Sequence, residues 1–200
     1  MMEHAIALVS SLLLTFVSSG QYYSSQMPGT PAADPQVFVK DATAQAAVGL
    51  LGIAHDAGYR PALLGDSPDT PLFSASGAPL GIVLKQWVAA RGSVEIAQTS
   101  RALQTVTVRL EGLSAYGVYS LFETRGDTQL ERYAPLDGAG GSNSFIADAG
   151  GSATVSVQVS PPLTHADAIS VFFHSDGQSH GLSPGAPGVT AHQQLILRVP

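Results

Sequence analysis

The 200-residue chain contains no cysteine, which removes disulfides, thiolate nucleophiles, iron–sulfur clusters, cysteine-ligated zinc and a cysteine-linked lipid anchor. Its stability has to come from a packed core. Charge is scarce as well: Asp, Glu, Lys and Arg make up 12% of residues, about half the usual share of a globular chain. Nine basic residues stand against fifteen acidic ones, for a net charge of −6, and no Lys/Arg cluster occurs. The electrostatic footprint that nucleic acid needs is therefore missing, and no nucleic-acid partner is expected. Nor is there an apolar run of about 20 residues, the length a helix needs to cross a bilayer.

Apolar residues reach 44%, enough for a real core, and 21 glycines with 13 prolines imply many turns and short elements in one domain. The first apolar run, Ala5 to Val17, is followed at once by the small residues Ser18, Ser19 and Gly20. That is the architecture of an export leader, although Met1, Met2, Glu3 and His4 carry none of the usual positive charge. Residues 1–20 read as a signal peptide cut near Gly20, leaving no stable membrane span and a secreted, periplasmic or cell-surface protein. Residues 21–35 are polar and Pro-rich and read as a flexible N-terminal segment. Residues 36–200 form a single β-sandwich domain, whose part 36–80 is the least regular in pattern.

Within 36–80, Val37 to Val39 suits a short strand. Ala42 to His55 reads as a helix started by Asp41, with Gly49 and Gly52 against it and a pair of β segments as the competitor. Arg60 to Gly81 carries Pro61, Pro68, Pro71 and Pro79 and reads as a long loop. After Gly81 the period becomes two. Alternation runs from Ile82 to Val88 and resumes at Val94 and Ile96. In Thr105 to Leu110, Val106, Val108 and Leu110 share one face. Further runs occupy Val118–Glu123, Ser144–Ala147, Ala153–Val159, Ala168–His174 and Gln193–Val199. Asp148-Ala149-Gly150-Gly151 joins two of these as a hairpin turn. The expected fold is all-β: an antiparallel β-sandwich, immunoglobulin-like or jelly-roll-like, with at most one N-terminal helix.

The stretches Trp87 to Ser93, Val106 to Leu113 with Gly117-Val118-Tyr119, Asn143 to Asp148 and His174-Ser175-Asp176-Gly177-Gln178-Ser179-His180-Gly181 resemble a family of secreted prokaryotic proteins. The resemblance runs from about Gly81 to the C-terminus. It implies an export leader and an all-β fold, and it implies no activity. Members often carry cysteines, so any disulfide of the family is absent from this chain.

One polar constellation stands out: His174, Asp176 and His180, with His192 further on. Imidazoles and a carboxylate suit zinc or copper, and a strand end leading into a Gly-rich loop can turn them toward one ion. The competing reading is structural, because Asp176-Gly177 is a common turn pair and His180 can bond a loop carbonyl. His55 and His165 read as isolated surface or capping residues. No serine sits in Gly-x-Ser-x-Gly, which argues against a serine hydrolase. Glu95, Glu111, Glu123 and Glu131 could supply a glycosidase pair, and Trp87, Tyr116, Tyr119 and Tyr133 could stack on a sugar. Solvated strand positions and core packing are the plainer accounts. The leading expectation is an exported β-sandwich with a binding or structural role, not catalysis, and with an extracellular protein or glycan as partner. A secreted zinc or copper protein is the alternative. A self-associating surface-fibre subunit, with the N-terminal segment donating a strand, is the third.

Overall fold

The computed structural model describes residues 11–28, 30–126 and 132–200. The first half of the leader-like segment, and Glu131 among the candidate carboxylates, lie outside them. In chain order the elements begin with β1 (Ser11–Thr15), β2 (Val17–Ser18), α1 (Ser19–Ser25), β3 (Ala33–Lys40), β4 (Ala47–Val48) and β5 (Ala54–His55). There follow β6 (Tyr59–Leu63), β7 (Pro71–Phe73), β8 (Pro79–Val83) and α2 (Leu84–Val88). The long strands come next: β9 (Arg91–Ser100), β10 (Leu103–Glu111), β11 (Val118–Thr124), β12 (Ala134–Pro135), β13 (Ser144–Ile146), β14 (Ala153–Val159), β15 (Ala168–His174) and β16 (Ala191–Arg198).

Two antiparallel sheets enclose the main core, as the period-two pattern requires. One has the order β1-β9-β10-β14; the other runs β12-β11-β15-β16-β2, with β13 also on β11. Val94, Ile96, Val106, Val108, Leu110, Val157 and Val159 of the first sheet are buried with Tyr119, Leu121, Ile169, Val171, Phe173, Leu195 and Leu197 of the second. Each such side chain contributes about 1.5–3 kcal/mol by leaving water. A third sheet, β6-β3-β7-β8, adds Val37, Val39, Leu72 and Ile82 to the same core. β15 is buried on both faces: Phe173 joins the main core, while Phe172 packs with Phe122, Ala191 and Tyr133 on the other side.

The proline-rich stretch is not a loop. Pro71 and Pro79 each open a strand, and Pro61 lies in β6 at the edge of its sheet. These are the positions where a missing N–H costs no ladder bond. The helix expected over Ala42–His55 is replaced by the competing β pair: β4 and β5 hydrogen-bond around Leu50–Gly52, where Leu51 and Gly52 take positive φ. Asp41 closes a turn on Thr43 instead of capping a helix. The alternation from Ile82 to Val88 likewise ends early, at Val83, and α2 then rotates Trp87 into the core. Asp148 to Gly151 is not a hairpin turn either, since β13 pairs with β11 in one sheet and β14 with β10 in the other. It is a crossover between the sheets.

The described part of the leader-like segment is docked into the fold. β1 pairs with β9, β2 pairs with β16, and Phe16 between them is buried in the main core. Gly92 leaves room for this crossing, because a Cβ there would lie 2.5 Å from the Arg109 carbonyl oxygen and 3.3 Å from the Phe16 ring. Residues 21–35, expected to be a flexible tether, hold most of α1 and the start of β3. Their anchor is polar. Buried Asp34 accepts hydrogen bonds from Ser19 Oγ at 2.6 Å, Trp87 Nε1 at 2.8 Å and the Gln36 backbone N–H at 2.9 Å. Burial raises its carboxyl above the ordinary carboxylate value, against these bonds and one from the Gly20 backbone. Tyr23 donates to Gln193, and Gln193 donates to Ser170, which ties α1 across to β16 and β15. Gly20 lies close to Leu64 and Asp34, since a Cβ there would meet the Leu64 side chain at 2.8 Å and Asp34 Cβ at 3.3 Å.

Candidate metal centre

β15 ends at His174, where Gly177 takes φ 70° and its N–H bonds the His174 carbonyl at 3.1 Å. This tight turn brings the chain back over the strand end. His174, Asp176 and His180 each offer a ligand atom, and these atoms lie within 4.8 Å of one another. His180 Nε2 stands 2.9 Å from Asp176 Oδ2, and the two imidazole centroids of His174 and His180 are 5.5 Å apart. Asp176 Oδ1 accepts the Gln178 N–H at 3.1 Å. The turn anticipated from Asp176-Gly177 is thus present, and it coexists with the clustering of possible ligands.

The three residues differ in exposure. His174 is 1% exposed, whereas the side chains of Asp176 and His180 keep 28% and 30% of their surface in contact with solvent. On the β15 register His174 lies opposite Val118 and shares a face with Ser120, whose Oγ is 2.6 Å from His174 Nε2. Its Nδ1 is buried with no hydrogen-bond partner among the described residues. Burial, reinforced by the neighbouring His180, lowers the His174 pKa to about 4. The ring is therefore neutral at physiological pH, the state in which imidazole binds a metal.

His192 does not join this group. Its Nδ1 is 2.7 Å from the Gln36 carbonyl oxygen and its Nε2 is 3.1 Å from Ser175 Oγ, so both nitrogens are engaged by the protein. It sits fully buried between Trp87 and Phe173, with burial lowering its pKa to about 4. Placing it among the ligands rested on sequence proximity. The structure instead uses it to fasten β3 to β16. His55, expected at the surface, is also buried, against Phe38; His165 is exposed as expected.

The sugar-binding and glycosidase options gain nothing from the geometry. Trp87 and Tyr119 are each 1% exposed and belong to the core. Tyr133 packs against Phe172, and only Tyr116 projects into solvent. Glu95 pairs with Arg109, Glu111 with Arg91 and Glu123 with Arg125, so each described carboxylate of that set already has a cationic partner.

Ser120 is the residue that sequence reasoning missed. It is a small polar side chain inside an apolar strand, and its significance depends on a register with His174 that no local pattern reveals. It is 1% exposed, so no substrate reaches its hydroxyl; its effect is to hold one nitrogen of the ring and leave the other free. Among the described residues no helix is long and apolar enough to cross a membrane. No protein-family model and no curated protein matches this sequence, so the chemistry of the cluster rests on its own geometry.

Proposed function

We propose that this chain is an exported β-sandwich domain that binds one zinc or copper ion through His174, Asp176 and His180. The observation that carries the reading is His174 itself, which has a buried Nδ1 without a hydrogen bond and clusters with two further ligand side chains. Leaving a buried polar atom unpaired costs about 1–3 kcal/mol, and coordination would remove that cost. Ser120 on Nε2 supplies the outer partner that metal-bound histidines usually have. Two imidazoles and one carboxylate suit a borderline cation, and three protein ligands leave a coordination position for water or an incoming donor. The hydrogen bond between His180 and Asp176 would be exchanged for bonds to the ion.

Export is supported by the apolar run Ala5 to Val17 and by the resemblance to secreted proteins. A cut at Gly20 would carry away β1, β2 and the Ser19 hydroxyl that Asp34 accepts, so N-terminal sequencing of exported protein bears directly on the folded boundary. The metal reading is tested by equilibrating purified full-length protein with zinc or copper(II), removing free ion, and measuring bound metal per chain. One ion per chain is expected, lost in the double variant His174→Ala/His180→Ala and kept in His192→Gln. Metal-free wild-type protein, or equal binding by the double variant, would refute it.

A further inference from the structure

Exposed sheet edges are ordinarily protected by charge, proline or a bulge, because their unpaired N–H and C=O groups template the addition of another strand. In the four-stranded sheet this protection is in the wrong place. The charged residues Arg91, Glu95, Arg109 and Glu111 sit on the central strands β9 and β10, where they pair with one another. The outer strand β14, Ala-Thr-Val-Ser-Val-Gln-Val, has no charge, proline or glycine. Its seven pairings with β10 run from Gln104↔Val159 to Leu110↔Ala153 without a register shift, so the edge is regular throughout.

The same strand is self-complementary. Antiparallel pairing with a second β14 about Ser156 would set Thr154 opposite Gln158 on the solvent face and Val155 opposite Val157 on the core face. Polar groups would meet polar groups, and valine would meet valine. Val155 points to the core side, opposite the fully buried Val108, yet stays half-buried because among the described residues no strand lies beyond it in the sheet. We infer that the β14 edge is a docking surface for a second copy of this chain, producing a twofold dimer whose two β9-β10-β14 sheets become continuous across the axis. A single self-complementary patch on both partners is the commonest way for identical chains to associate. The inference is independent of the metal site, which lies in the other sheet.

The test is sedimentation velocity on the full-length chain from about 1 μM to about 1 mM, a range that brackets weak and moderate dimers. A concentration-dependent shift to twice the chain mass is expected. Ser156 is exposed and faces itself across the proposed axis, so Ser156→Lys should weaken the dimer by about tenfold or more through like-charge contact. Mixing Ser156→Lys with Ser156→Glu should restore association between unlike copies. Circular dichroism confirms that each variant stays folded. A wild-type chain that is monomeric across the range, or a dimer indifferent to both charges, overturns the inference.

Discussion

His192 provides a quantitative check on the buried polar layer between the third sheet and β16. Its pKa is lowered from 6.5 to about 4 by burial, while in the unfolded chain the ring titrates at its ordinary value. Between those two values the unfolded state binds the extra proton and the folded state does not. Stability contributed by this residue is therefore complete above about pH 6.5 and is lost as pH falls toward 4. The loss amounts to about 2 kcal/mol between pH 7 and pH 5, approaching about 3 kcal/mol once pH passes below 4. Urea unfolding followed by fluorescence reads this directly, because the single tryptophan, Trp87, has its ring 6.5 Å from that of His192. In His192→Gln, stability at pH 7 falls through lost packing, but the further drop on going to pH 5 shrinks by about 2 kcal/mol. Parallel declines in wild type and variant would mean that the His192 ring is not held neutral, and the burial argument would fail with it.

Two smaller perturbations probe the other ends of the structure. Ser120→Ala should lower metal affinity by about tenfold or more, since the His174 ring loses the partner that fixes its orientation; calorimetric titration with zinc measures it, and unchanged affinity would remove Ser120 from the site. Ser19→Ala deletes the 2.6 Å bond to buried Asp34 and should cost about 1–3 kcal/mol in urea unfolding. A full-length protein indifferent to that change would have its N-terminal segment undocked.

The long strands β9, β10 and β14 were legible because alternation there is set by burial between two sheets, a local signal of a global arrangement. Val106, Val108 and Leu110 show it most plainly: all three are at most 1% exposed. Legibility failed where a segment's environment is supplied by distant chain. Ser18, Ser19 and Gly20 satisfy the small-residue pattern of a cleavage site, and the same residues have folded roles that no local pattern reveals: Ser18 caps α1, Ser19 bonds Asp34 and Gly20 lies against Leu64. The prolines of β6, β7 and β8 argued against strands until their places at strand starts and at a sheet edge were known. In the candidate site, His174, Asp176 and His180 could be picked out from spacing within one turn. Excluding His192 and finding Ser120 both required the pairing of β15 with its neighbours.

The pairing of β2 with β16 brings residues 17 and 18 beside residues 195 and 196. During synthesis the first of these segments leaves the ribosome long before the last exists. The second sheet cannot be completed until residues 195 and 196 have emerged, and the apolar stretch that fills its edge must wait, unpaired, while all the chain between them is made. Closing so large a loop is slow. Throughout that interval the uncovered N-terminal stretch is open to whatever binds nascent apolar chain, so its fate is decided by competition in time before it is decided by stability.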